Sequence, residues 1–180
     1  MNFQKQTLRP LFFLFLLMCL LSGLVGVVYT PVRAAPTSIL ISQVYGGGGN
    51  AGATYTNDFV ELFNPTNTTI SIAGWSIQYA GSTTVGLFSA NVTNISGSLA
   101  PGQYYLVQLG SNGAVGISLP TPTNATGTTN ISATNGKIVL VNTTTGLACN
   151  GSIAQPCTAA ELASIIDLVG YGTANFFEAS

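Results

Sequence analysis

Asp58 and Glu61 are the acids with the most chemical scope in this sequence. They stand three positions apart, just after the glycine-rich stretch Gly46–Thr56. Two carboxylates beside loop carbonyls could ligate calcium, although calcium takes about six to eight oxygens and two carboxylates supply few of them. The pair could instead serve glycoside hydrolysis, which needs an acid of raised pKa and a second carboxylate at a set distance. In an extended segment, however, side chains three apart point to opposite faces, which argues against a catalytic pair. The blander role is a partly buried carboxylate that accepts N–H bonds from the glycine-rich loop. The expectation is therefore no catalytic residue, no cofactor and no metal, with Asp58 and Glu61 as the remaining metal candidates.

Other chemistry is closed off by absence. The chain of 180 residues contains no histidine. Without one, no Ser–His or Cys–His nucleophile can be built, and zinc loses its commonest ligand. No glycine-rich loop runs into Lys-Ser or Lys-Thr, so there is no P-loop. Beyond residue 34, Lys137 is the sole basic side chain, against Asp58, Glu61, Glu161, Asp167 and Glu178, a formal charge of −4. Nucleic-acid binding by counterion release needs clustered Lys and Arg, which this stretch lacks.

Aromatic residues offer contact chemistry instead. Trp75 could stack on a sugar, but a Trp following Gly74 more often anchors a sandwich core. Tyr104 and Tyr105 are adjacent in a strand-like run and so must face opposite ways, one inward and one outward. Both are carried as candidate surface contacts. Seven Asn-X-Ser/Thr sequons, at Asn67, Asn91, Asn94, Asn124, Asn130, Asn142 and Asn150, are expected to mark exposed loops.

The N-terminus indicates the compartment. Lys5 and Arg9 precede an apolar run, Leu11–Tyr29, and Val32 and Ala34 place small residues before a cleavage after Ala34. Residues 1–34 thus read as a secretory signal peptide, or as an uncleaved N-terminal anchor, since the run is about the length of a membrane span. Export leaves Cys149 and Cys157, eight positions apart, expected to form a disulfide rather than two free thiols.

The elements that must position these residues are short strands. Apolar runs at Ser38–Tyr45, Phe59–Phe63, Thr69–Ile72, Trp75–Tyr79, Tyr104–Leu109 and Ile166–Tyr171 alternate with Gly, Asn, Pro and Thr clusters. Pro101-Gly102 suits the centre of a type II turn. Asn135-Gly136, flanked by β-prone runs from Ile131 to Val141, predicts a type I′ hairpin. Thr158 and Glu161 have capping-box spacing, with helical turns following to Ile165. Gly116–Asn130 reads as a long ordered loop. The sum is an all-β sandwich or barrel.

Six segments, in order, resemble the bacterial lamin tail domain family: Ile39–Asn50 (ILISQVYGGGGN), Asn57–Pro65 (NDFVELFNP), Ile72–Tyr79 (IAGWSIQY), Leu99–Val107 (LAPGQYYLV), Ser132–Leu140 (SATNGKIVL) and Asp167–Gly172 (DLVGYG). The resemblance covers about residues 38 to 178, and the domain is placed at 36–180. It implies an immunoglobulin-like β-sandwich that accompanies extracellular nucleases, phosphoesterases or surface-anchoring repeats, with activity residing in the neighbour. Members of this kind continue past the Gly-Tyr-Gly strand, so the sandwich is expected to miss its C-terminal strand here. The functional expectation is a secreted or cell-surface, non-catalytic module for adhesion, targeting or structural interaction. Its partner would be an unidentified protein or cell-surface polymer, with no nucleic acid bound by this domain alone and membrane contact only through an uncleaved leader. Two alternatives stand beside it: the N-terminal accessory domain of a fragmentary extracellular nuclease or phosphoesterase, and a carbohydrate- or calcium-binding surface module.

Overall fold

Alternation of apolar and polar residues over five or six positions dictates most of the architecture. A computed structural model of the chain describes residues 37–121 and 123–178. The leader, residues 1–34, lies outside that range. The strands are β1 (Leu40–Tyr45), β2 (Phe59–Phe63), β3 (Ile70–Ser71), β4 (Trp75–Ala80), β5 (Val92–Ile95), β6 (Ser98–Leu99), β7 (Tyr104–Gln108), β8 (Ala125–Thr126), β9 (Gly136–Val141) and β10 (Ile165–Tyr171). A 3-10 turn, Phe88–Ala90, precedes β5, and a short helix, α1 (Ala159–Ser164), precedes β10. One sheet has the order β1-β2-β7-β8 and the other β10-β9-β4-β5, with β3 and β6 forming a separate ribbon. No helix among the described residues is long and apolar enough to cross a membrane.

Period-two patterning sends Val60 and Leu62 of β2 and Tyr105 and Val107 of β7 inward, where they meet Ile77, Ile95, Ile138 and Leu140 of the other sheet. This is the main core of an immunoglobulin-like sandwich. Each such aliphatic side chain contributes roughly 1.5–3 kcal/mol by leaving water. The edge strands β1 and β10 meet along one seam, where the Asp167 carboxylate accepts the Ile41 N–H and ties the sheets together. A bulge at Ser42 shifts the β1 register, so that Gln43 and Tyr45 stand opposite Glu61 and Phe59 on the outer face.

A second, smaller core lies on the outside of the β10-β9-β4-β5 sheet. Ala80, Val139, Val141 and Leu168 project outward there and are covered by Phe88, Leu147 and Cys149, with Phe176 and Cys157 packed against them. Polar side chains on the same face fasten the cover. The Ser76 hydroxyl donates to the Thr143 carbonyl, and Gln78 donates to the Thr145 carbonyl and accepts the Leu147 N–H.

Several expectations hold. Gly102 has φ +71° and the Gln103 N–H closes the turn onto the Ala100 carbonyl, as a type II turn requires. The capping box forms: Thr158 accepts the Glu161 N–H, and the Glu161 carboxylate accepts the Thr158 N–H. Others need correction. Ile131–Asn135 is not a strand, and there is no Asn135-Gly136 hairpin: β9 starts at Gly136 and pairs with β4 and β10. Ile131 is held elsewhere, its N–H by Asp58 and its carbonyl by the Gly47 N–H. Gly136 is required for close approach, since a Cβ there would lie 2.5 Å from the Tyr79 ring. The stretch from Gly116 to Asn130 contains β8, which extends the first sheet in parallel beside β7.

Candidate functional site

Asp58 immediately precedes β2 and is fully buried. Its Oδ1 accepts the Gly48 N–H at 2.6 Å and its Oδ2 accepts the Ile131 N–H at 2.7 Å. Its own N–H and carbonyl pair with Gly110 and Leu109. Only glycine can occupy position 48, because a Cβ would sit 2.3 Å from the Asn57 carbonyl carbon. Burial raises the Asp58 pKa above the ordinary carboxylate value, opposed by the N–H groups of Ile131, Gly48 and Gly47. Both carboxylate oxygens are thus occupied in joining the glycine-rich loop to the segment before β9.

Glu61 points the other way. It is half-buried on the outer face, where its Oε1 accepts the Ser42 hydroxyl at 2.8 Å. The fold therefore separates Asp58 from Glu61 by the thickness of a strand. Among the described residues no group of three or more His, Cys, Asp or Glu could hold a metal ion.

Of the two tyrosine candidates, the structure exposes one. Tyr104 is 55% exposed and its ring lies 4.6 Å from that of Phe63, centroid to centroid. Tyr105 is buried, its hydroxyl donating to the Ser96 carbonyl, and the expectation that it is a surface contact is corrected: β7 turns it into the core. Trp75 is half-buried against the main core. Asn150 corrects the expectation that every sequon marks an exposed loop. It is fully buried, donating to the Gly86 carbonyl and accepting the Ser152 N–H.

Cys149 and Cys157 form a disulfide with their Cα atoms 4.9 Å apart, and Cys149 is fully buried in the outer core. Sequence reasoning gave no role to Lys137. It too is fully buried, and its Nζ donates to the Thr83 carbonyl and to Asn175 Oδ1, both at 2.9 Å. Burial lowers its pKa. A lone lysine opening the apolar run Gly136–Val141 was the available signal, since a charged residue in a central strand must find internal partners.

Among the described residues, two surface clefts bear on the site. One, about 350 Å³, lies between α1 and the Thr143–Ala148 loop. Its titratable residue, Glu161, is engaged by the capping box and by the Ala148 N–H. The other, about 190 Å³, lies on the outer face of the first sheet between Gln43 and Glu61 on one side and Tyr55, Phe59, Leu119 and Pro120 on the other. Of its lining, Phe59 stacks on Tyr45 with ring centroids 5.3 Å apart, and Tyr55 meets both rings edge-on. This cleft and the Phe63–Tyr104 pair form the candidate site.

The family model described as Lamin Tail Domain matches residues 33–172. No curated protein matches the chain.

Proposed function

The chain belongs to the lamin tail domain family, and from that premise we propose that it acts as a non-catalytic extracellular module for adhesion or targeting. The observation that carries this reading is how the ionisable groups are used. Asp58, Glu61, Glu161 and Asp167 each accept hydrogen bonds within the domain, and Lys137 donates only to uncharged oxygens. No two of these groups are placed as a nucleophile and its base would be. The disulfide and the apolar N-terminal run support residence outside the cytoplasm. An immunoglobulin-like sandwich is a generic scaffold, so function rests on what one of its surfaces presents.

Fractionation of cells producing the full chain, with alkylation of free thiols, tests this. The expected result is protein in the envelope or medium, with Cys149 and Cys157 unreactive until reduced. Recovery in the cytoplasm with both thiols free would overturn the reading.

A further inference from the structure

We propose that the outer face of β1-β2-β7 is a platform for a neutral glycan chain lying along the strands. The proposal deepens the module reading and rests on it. Cross-strand register builds the face in three rows. Leu40, Phe63 and Tyr104 form the first, Gln43, Glu61 and Leu106 the second, and Tyr45, Phe59 and Gln108 the third. The first row presents the half-buried ring of Phe63 and the exposed ring of Tyr104, the third presents the half-buried ring of Tyr45 with Phe59 buried beside it, and the middle row carries an amide and a carboxylate. Phe59 and Phe63 are four residues apart, so the ring rows are roughly 13 Å apart along the strand. A pyranose offers an apolar C–H face to an aromatic ring and a rim of hydroxyls to amides and carboxylates, which matches that order of groups. The cleft gives the middle row depth: Gln43, Glu61 and Leu106 line it together with Phe59, Tyr55, Leu119 and Pro120.

Charge selects among occupants. Lys137 is the sole Lys or Arg among the described residues, and it is buried. Among the described residues no basic group is therefore available on this face to hold a phosphate, a sulfate or an acidic polymer. A second copy docked face to face would bring two Glu61 carboxylates together without a counter-charge. An uncharged hydroxylated chain meets neither obstacle, and Glu61 Oε1, already accepting from Ser42, is set to accept from sugar hydroxyls as well.

Electrophoresis of the full chain through native gels containing a soluble neutral glucan, mannan, xylan or galactan tests the proposal. At least one polymer should retard the protein. The double variant Tyr104→Ser, Glu61→Gln should bind about tenfold more weakly, as expected when a stacking ring and a charged acceptor are lost. Ile153→Ser, a change at a fully exposed residue away from the face, should leave retardation unchanged. Absence of retardation by all four polymers, or retardation only by an acidic polysaccharide, would overturn the proposal. So would a concentration-dependent dimer abolished by Tyr104→Ser. Such a failure, with the protein still outside the cell and its disulfide formed, removes the glycan and leaves the module reading standing. Release of reducing ends from the gel polymer would instead overturn the non-catalytic reading.

Discussion

Ser76, Gln78 and Lys137 project from the outer face of β10-β9-β4-β5, and Glu61, Phe63 and Tyr104 project from the outer face of β1-β2-β7. The first set is fully buried beneath loops that it binds through hydrogen bonds, around an apolar layer closed by the disulfide. The second set is half-buried or exposed, and its rings and carboxylate face solvent beside a cleft. One sheet thus has a core on both sides, while the other has a core on one side only. In an antiparallel sandwich a single buried face suffices for stability. The cover on the second sheet is then extra consolidation, and the outer face of the first has no such cover beyond the rings around Phe59.

The largest expected effect breaks any simple version of this contrast, because it lies in the bare sheet. Asp58→Ala would leave the Gly48 and Ile131 N–H groups buried without acceptors, at about 1–3 kcal/mol each. Denaturant unfolding should show a loss of about 3–5 kcal/mol. The face is dispensable for folding only because the anchor beneath it is not. Next comes the covered side. Replacing Cys149 and Cys157 together by Ser should cost about 2–3 kcal/mol by releasing a short loop in the unfolded chain, read as a lower thermal midpoint that reductant no longer changes.

The two buried ionisable groups sharpen the comparison through pH. Lys137 has a lowered pKa in the fold, so between that value and the ordinary 10.5 the unfolded chain binds a proton that the folded chain does not. Its contribution to stability therefore rises with pH through that window, and Lys137→Met, which keeps the volume without the amine, should flatten the rise. Asp58 has a raised pKa, so its contribution is full below the ordinary 3.8 and declines as pH climbs through the folded value. Asp58→Asn should remove that decline in urea titrations across the acid range, whatever its constant offset.

Much of the scaffold was legible because it is local. β2, β4, β7 and β10 follow from alternation, the Pro101-Gly102 turn from glycine's tolerance of positive φ, and the α1 cap from Thr158 and Glu161. What failed was decided by long-range partners. The Asn135-Gly136 hairpin is absent because Asp58, 73 positions before Ile131, holds the start of that segment and β9 pairs instead with β4 and β10. β5 and β8 are short and rich in Thr and Asn, and only their neighbours β4 and β7 make them strands. At the site, alternation indicated that one of Tyr104 and Tyr105 faces out but not which. The cleft was not legible, because Leu119 and Pro120 arrive from a loop whose path the sequence does not state.

The smallest expected effect tests the central claim, that the outer face of β1-β2-β7 is set aside for contact and not for folding. Thermal unfolding of the Tyr104→Ser, Glu61→Gln double variant should give a midpoint within about 2 °C of the parent chain, since both changes fall on the outer surface. A drop as large as that caused by removing the Cys149–Cys157 disulfide would show that the bare face is part of the folding unit, and would contradict the account.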